Sequence, residues 1–263
     1  MMDFFKQILG LPPLASENGH DVDRLIIYIH WLMIALFIGW LGYFLYTIWR
    51  FSAKRSPQAD HHGVRSHVSN YVEIIVAGIE VLILVAFAIP FWANASDVTK
   101  LSEENKKDAV TIQVIAQQFS WNVRYPGKDG VFGKQDMRWV AETNMFGIDP
   151  NDPSGKDDVQ VSPSPEIHLP VNKPVIAYIS SKDVIHSFKV LAMRVTQDAI
   201  PGMRIPTWFK PTQKGRYQIN CAQLCGNGHS SMSGGFLVVE DQTDYEAWLA
   251  KKSAAGAAPA SFE

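Results

Sequence analysis

The chain has 263 residues, of which 47% are hydrophobic and 19% are charged, and its formal net charge is −2. This composition excludes a disordered chain, and two cysteines are too few for a disulfide-dense miniprotein. Because 24 basic side chains are balanced by 26 acidic ones, the chain lacks an overall positive field and we expect no nucleic-acid partner.

Two apolar segments predict a transmembrane α-helical hairpin over residues 25–93, after an N-terminal segment over residues 1–24. Residues 25–49 contain no Asp, Glu, Lys or Arg, and a helix of this length crosses a hydrocarbon core of about 30 Å. A second apolar segment, residues 71–92, is interrupted by Glu73 and Glu80. Two buried helices of a soluble core are the alternative interpretation, although such helices seldom lack a polar face over this length.

Glu73 and Glu80 are seven residues apart and therefore share one helix face. Carboxylates inside a membrane are costly and usually face protein or water. Glu80 thus predicts that the hairpin packs against another membrane protein, whereas Glu73 is also compatible with a position at the membrane interface.

The charges around the hairpin predict its orientation. The loop between the two segments carries Arg50, Lys54, Arg55 and Arg65 against the single acid Asp60, and the N-terminal flank is mainly acidic. Because basic residues are enriched on the cytoplasmic side of membrane proteins, this loop is expected in the cytoplasm. Both termini and everything after residue 93 are then expected on the outer side.

The rest of the chain predicts a polar linker over residues 94–108, an all-β domain over 109–252 and a flexible tail over 253–263. Short apolar segments alternate with Gly, Pro and Asn, a pattern typical of an antiparallel sandwich or barrel. Residues 127–160 predict a surface loop, and residues 243–252 predict a terminal helix. The predicted strands are residues 110–116, 119–125, 166–169, 175–180, 187–190, 215–220 and 235–240.

The residues with metal-binding chemistry are concentrated near the end of this domain. Cys221, Cys225, His229 and Met232 follow one another at offsets of four, four and three residues, in a glycine-rich stretch that predicts a loop between two strands. Two thiolates, an imidazole and a thioether are soft ligands that favour copper over magnesium or calcium. Zinc is disfavoured because methionine is a poor zinc ligand. A disulfide between the two cysteines is the alternative interpretation.

A mononuclear blue-copper site needs one cysteine and two histidines, so this cluster has one thiolate too many and one imidazole too few. His186, at a predicted strand boundary, is our candidate for the second imidazole. Five side-chain ligands fit two copper ions bridged by two thiolates, with the backbone carbonyl of Gln223 as a further donor.

The chain resembles subunit II of the haem–copper cytochrome c oxidases. The resemblance covers residues 20–250 and is densest in the stretches SKDVIH (181–186), DAIPG (198–202) and residues 221–232. It implies a cupredoxin-like Greek-key barrel that carries a binuclear copper A centre. This centre would take electrons from cytochrome c and pass them to haem in subunit I, which holds the catalytic site that reduces O₂ to water. The copper ligands implied are His186, Cys221, the carbonyl of Gln223, Cys225, His229 and Met232.

The resemblance also implies roles for residues outside the copper site. Family members usually carry a glutamate that binds magnesium at the subunit interface where this chain has Gln223, so a magnesium site is doubtful. The electron-entry tryptophan of the family corresponds to Phe119, with Trp121 as a second candidate or a core residue. Glu73 matches the acid at the entrance of a proton pathway. Independently of the resemblance, Asp183 lies next to the His186 segment and is a candidate acid for docking a basic cytochrome c, with a solvated surface acid as the alternative interpretation.

The expected assembly is an oxidoreductase and translocase complex of the bacterial inner (plasma) membrane, with the copper domain on the periplasmic side. Expected partners are subunit I, other oxidase subunits, a c-type cytochrome and membrane lipid. No Cys-x-x-Cys-His motif occurs, so no haem is expected in this chain. The alternative function is a copper-free structural subunit of a quinol oxidase. A membrane-anchored thiol–disulfide protein and a nitrous oxide reductase domain are weaker rivals.

Overall fold

The computed structural model describes residues 2–58, 61–63 and 66–256. Asp60 and Arg65 of the orientation prediction, and residues 257–263 of the predicted tail, lie outside the described residues. The chain forms two compact units. One contains the residues up to Leu11 together with Asp21–Trp92, and the other contains Pro12–His20 together with the chain from Ala93 onward.

The first unit is helical. It contains α1 (Met2–Ile8), most of α2 (Gly19–Arg50), α3 (Val68–Ile83), a π-helical turn (Leu84–Ala88) and the first residues of α4 (Ile89–Ser96). The two long helical segments, Gly19–Arg50 and Val68–Ser96, have mean hydropathies of 2.1 and 2.7, and only 6% and 0% of their most apolar windows are buried. Such exposed apolar surface is costly in water, so lipid explains it better than the alternative of two buried core helices.

The second unit contains two five-stranded sheets that share one hydrophobic core. The first sheet has the strand order β3-β2-β1-β5-β8, and the second has the order β4-β10-β9-β6-β7. The strands are β1 (Val110–Gln117), β2 (Ser120–Tyr125), β3 (Val159–Val161), β4 (Glu166–Pro170), β5 (Val175–Ser181), β6 (His186–Val190), β7 (Val195–Ala199), β8 (Ile205–Phe209), β9 (Gly215–Cys221) and β10 (Gly235–Glu240). This architecture confirms the predicted all-β sandwich.

The sheets differ from the prediction in the direction of two strand pairs and in containing three additional strands. The pairs β1–β5 and β4–β10 are parallel, so neither sheet is purely antiparallel. The strands β3, β7 and β8 were not predicted. β3 is short and lies in the predicted loop, β7 is mostly polar, and β8 contains Pro206, which an edge strand tolerates because one side of its backbone needs no partner.

The stretch Pro12–His20, which we call the N-terminal strap, belongs to the β unit. The Ala15 amide donates to the carbonyl of Ala192 and its carbonyl accepts from the Thr212 amide, both at 2.8 Å. The Ser16 hydroxyl donates to the buried carbonyl of Met193 at 2.7 Å. The prediction that residues 1–24 form one separate segment is therefore wrong, because part of this segment pairs with the β domain.

The predicted linker and tail also differ from the structure. Residues 94–108 include the end of α4, a 3₁₀ turn (Val98–Lys100) and α5 (Glu103–Asp108), and Leu101 between the last two is buried. The Ser102 side chain accepts from the Asn105 amide and so caps α5. At the other end α6 (Gln242–Gly256) continues past the predicted boundary at residue 252, and alanine in this stretch favours the helix.

The predicted loop 127–160 is anchored to the sheet by a buried ion pair. The Arg124 guanidinium of β2 donates to the carboxylate of Asp158 and, at 2.8 Å, to the carbonyl of Gly133. Both charged side chains are fully buried. Burial raises the pKa of Asp158, although hydrogen bonds from Arg124 and from the Gly133 amide oppose the shift. The loop is thus attached to β2 by an ion pair in which each buried charge stabilises the other, and loss of either partner would leave an unpaired buried charge.

We expect Ser16→Ala to lower the free energy of unfolding of the β unit by about 1–3 kcal/mol, since it leaves the buried Met193 carbonyl without this donor. Chemical denaturation of the full chain in detergent, followed by tryptophan fluorescence, measures the change. Glu17→Ala is the matched control, because its ion pair with Lys210 is exposed and surface pairs contribute at most about 1 kcal/mol. Equal effects of the two substitutions would contradict a structural role for the strap.

Candidate metal centre

Antiparallel pairing brings the two ligand-bearing segments together. β9 ends at Cys221 and β6 begins at His186, and the register pairs Cys221 with Phe188 of β6. The end of β9 therefore lies beside the start of β6, although 35 residues separate His186 from Cys221. After β9 the chain passes through Cys225 into a 3₁₀ turn (His229–Gly234) that carries the other two predicted ligands.

The predicted side-chain ligands converge around the two sulfur atoms. The Nδ1 atom of His186 lies 3.9 Å from Cys221 Sγ, and the Nδ1 atom of His229 lies 3.4 Å from Cys225 Sγ. Met232 Sδ lies 3.5 Å from Cys225 Sγ. On the other side, the Gln223 carbonyl oxygen lies 3.0 Å from Cys221 Sγ. The structure thus brings together the whole predicted ligand set.

The two cysteines are free thiols, and their sulfur atoms are 3.9 Å apart. A disulfide needs a distance of about 2 Å, so the structure contradicts the disulfide alternative. The ligand atoms of His186, Cys221 and Cys225 all lie within 4.8 Å of one another. Two soft sulfurs with imidazole and thioether neighbours fit copper by the chemistry of the donors.

The site is withdrawn from water. His186 and Met232 are almost fully buried, both cysteines are buried, and His229 is half-buried. Burial, and then the neighbouring Cys221 thiol, raise the pKa of the Cys225 thiol to about 11. The metal-free site therefore keeps this proton at neutral pH, and a bound metal ion must displace it.

The two candidate entry aromatics lie in different surroundings. Trp121 is buried, its indole N–H donates to the Met232 carbonyl at 3.0 Å, and its ring centre is 6.4 Å from that of His186. Phe119 is half-buried and lies against the backbone of Gly226 and Gly228, where a Cβ atom would collide with its ring. Trp121 thus supports the ligand segment from the core, whereas Phe119 reaches the surface.

The remaining predicted residues lie around or outside the site. The Asp183 carboxylate accepts hydrogen bonds from His186 Nε2 and from the backbone amides of Gln118 and Val184. Burial would raise the pKa of Asp183, but these hydrogen bonds lower it overall. The Gln223 side chain is exposed. Glu73 lies in α3 and accepts a hydrogen bond from Ser69 at 3.1 Å.

Sequence reasoning missed the contribution of Gln118 to the site. Its side-chain amide donates to the Cys225 carbonyl at 2.6 Å. The residue directly precedes Phe119, but spacing alone does not indicate that it contacts the loop between β9 and β10, residues 222–234, which we call the cysteine loop. Sequence reasoning also missed a surface depression beside Cys225, which is partly apolar and includes Val184, Ile185 and Leu224.

Comparison with known proteins places this chain in a family. The family model of the periplasmic domain of cytochrome c oxidase subunit II matches residues 110–240. The chain is 31% identical over 237 residues to the alternative cytochrome c oxidase subunit 2 of Bradyrhizobium diazoefficiens, covering 90% of this chain and 82% of the relative. It is 29% identical over 252 residues to the cytochrome c oxidase subunit 2 of Cereibacter sphaeroides, covering 91% and 78%.

Among solved structures, the chain is similar to the periplasmic domain of subunit II of cytochrome oxidase of Bradyrhizobium japonicum. That match has a TM-score of 0.41 and 27% identity, and it covers 56% of this chain and 96% of the other.

The protein thus combines two apolar helices with a two-sheet β domain that holds a cluster of thiol, imidazole and thioether groups. The chain belongs to the cytochrome c oxidase subunit II family, and its relatives are named as subunits of this oxidase. The predicted family and fold class are confirmed.

We expect Gly228→Ala to destabilise the β unit by about 1–3 kcal/mol and to speed the labelling of Cys225 by a thiol reagent. The new methyl group would collide with the Phe119 ring and displace the cysteine loop. Denaturation and labelling rates of the metal-free full chain measure both effects. Gly234→Ala is the control, since its Cβ would meet no atom within 4 Å, and a similar effect of both substitutions would contradict the packing argument.

Proposed function

We propose that this chain is the electron-accepting subunit of a terminal cytochrome c oxidase and holds a binuclear copper A centre. The observation that carries the proposal is the convergence of two free thiols, two imidazoles and a thioether, each within 3.9 Å of a cysteine sulfur. The bound copper pair would supply one-electron redox chemistry. The chain itself would orient the ligands and exclude water.

The distances support an assignment of the ligands to two sides of the centre. His186 and the Gln223 carbonyl lie next to Cys221, whereas His229 and Met232 lie next to Cys225. Each side therefore has an imidazole and one weaker donor, and the two thiolates would be shared. Such a matched set favours two copper ions over one, since a single blue-copper ion uses one thiolate.

Electrons would enter through Phe119 and leave towards haem in subunit I. Phe119 is partly exposed and contacts the cysteine loop, which supports it over the buried Trp121. The donor would be a c-type cytochrome. Asp183, whose side chain is 31% exposed, stays a candidate docking acid, and such steering weakens with salt.

The protein would sit in the bacterial inner membrane with its β unit in the periplasm. The excess of basic residues in the loop between the two apolar helices supports this orientation, because such loops are usually cytoplasmic. With two spans, the chain before the first span and the chain after the second would lie together on the other side. Subunit I, other oxidase subunits and lipid would surround the two helices, with Glu73 at the entrance of a proton pathway.

A magnesium site at Gln223 and a copper-free function both have less support than the proposed copper centre. The exposed Gln223 side chain is neutral, and hard cations prefer carboxylates. The converging ligand set favours an electron-transfer subunit over a copper-free subunit of a quinol oxidase, in which these residues would need no such arrangement.

The full chain, purified in detergent and loaded with copper, should bind two copper ions and turn purple. One unpaired electron shared equally by two copper nuclei would give an EPR spectrum with a seven-line hyperfine pattern. Metal analysis and EPR measure both properties. Four hyperfine lines would indicate a single copper ion, and an absence of copper uptake would favour the copper-free alternative.

Substitutions of the sulfur ligands should separate bridging from axial roles. Cys225→Ser should abolish the two-copper centre, because it removes a shared thiolate. Met232→Leu should keep two copper ions but raise the reduction potential, since the thioether no longer stabilises the oxidised state. Redox titration monitored by absorbance measures the shift. Met203→Leu, at an exposed methionine, is the control and should leave the potential unchanged.

A further inference from the structure

Three donors from two chain segments lie within 2.9 Å of the carboxylate of Asp183, and the Ser181 hydroxyl lies 3.5 Å from it. Its Oδ1 atom accepts from the Val184 amide at 2.7 Å and from His186 Nε2 at 2.9 Å. Its Oδ2 atom accepts from the Gln118 amide at 2.7 Å. A carboxylate oxygen accepts hydrogen bonds, so this contact favours a His186 ring that carries its proton on Nε2. Its Nδ1 lone pair then points towards the sulfur of Cys221.

Gln118 connects this carboxylate to the other ligand segment. It directly follows β1, and its backbone amide contacts Asp183 while its side-chain amide donates to the Cys225 carbonyl at 2.6 Å. One residue thus contacts both the segment before His186 and the loop that contains the two cysteines. These contacts make the relative position of the two segments depend on Gln118.

We propose that Gln118 and Asp183 form a bracket that positions the metal centre from both sides. Asp183 holds His186 in the Nε2–H tautomer, and Gln118 holds the Cys225 segment at a fixed distance from it. The tautomer is a property of this chain, whereas the effect on copper rests on the proposed function. Hydrogen-bond partners of this kind orient a metal-binding imidazole and increase its basicity.

This role differs from docking in what it requires of Asp183. Docking uses the negative charge and needs an accessible carboxylate, whereas positioning uses an oxygen acceptor next to His186. Asp183→Asn removes the charge and places an NH₂ group against the Gln118 amide, but it retains an oxygen that can accept from His186 and Val184. Asp183→Ala removes both the charge and this oxygen. The two variants therefore separate the roles.

The first experiment measures copper affinity of the full chain in detergent by competition with a chelator. Asp183→Ala should lose about 10- to 100-fold in affinity and show an altered EPR hyperfine pattern. Asp183→Asn should lose less, because it keeps the acceptor for His186 but not the one for Gln118. Gln118→Leu should also weaken binding and alter the pattern. Gln117→Leu is its matched control, because the Gln117 amide donates to the Ser120 hydroxyl. Wild-type affinity and spectra in both Asp183→Ala and Gln118→Leu would overturn the bracket.

The second experiment needs no copper. In ¹⁵N NMR spectra of the metal-free chain, His186 should be the Nε2–H tautomer in the wild type and in Asp183→Asn, and a mixture of tautomers in Asp183→Ala. An unchanged tautomer in Asp183→Ala would overturn the role of Asp183 in the bracket. If the wild type binds no copper, the proposed function fails. The NMR measurement still tests whether Asp183 holds His186 in the Nε2–H tautomer. If both Asp183 variants lose only the salt-dependent electron uptake and keep wild-type copper affinity, Asp183 acts in docking. That result would also overturn the role of Asp183 in the bracket.

Discussion

The antiparallel pairing of β6 with β9 is the constraint on which the whole site depends. It fixes His186 beside Cys221 before any metal ion binds, because the register between Phe188 and Cys221 is set by backbone hydrogen bonds. The loop after β9 then has to return only as far as β10, which pairs antiparallel with β9. The cysteine loop therefore begins and ends on neighbouring strands of one sheet. Such a loop can hold two sulfur atoms close together without joining them.

Burial and packing around this loop have opposite effects on the metal-free protein. Burial raises the pKa of the Cys225 thiol, so this thiol would stay protonated at neutral pH until a metal ion binds. Packing keeps the ligands close in spite of this, since Trp121 holds the Met232 carbonyl and Phe119 lies over two glycines of the loop. A site that is organised but protonated has to exchange protons for metal ions, which makes binding dependent on pH.

Much of the fold and most of the ligand set could be predicted from the sequence. Apolar runs without charges indicate the long helices, and Cys221, Cys225, His229 and Met232 are close enough in sequence to indicate their shared chemistry. Features that depend on distant pairing could not be predicted in this way. The N-terminal strap is polar and short, and its place in the β unit depends on backbone groups of Ala192 and Thr212. Gln118 likewise has no local pattern that indicates its contact with the Cys225 carbonyl.

The same short stretch, Gln118 and Phe119, contacts the metal centre in two ways. The Phe119 ring packs on Gly226 and Gly228. The Gln118 side-chain amide donates a hydrogen bond to the carbonyl of Cys225, which directly precedes Gly226. A movement of this stretch would therefore change both the aromatic surface and the backbone beside Cys225, which is a bridging ligand in the proposed copper centre. Because Asp183 accepts hydrogen bonds from Gln118 and from His186, the stretch that carries Phe119, the proposed entry residue, is tied by hydrogen bonds to both ligand segments. Rigidity of this kind suits electron transfer, in which small geometric changes between oxidation states favour fast exchange.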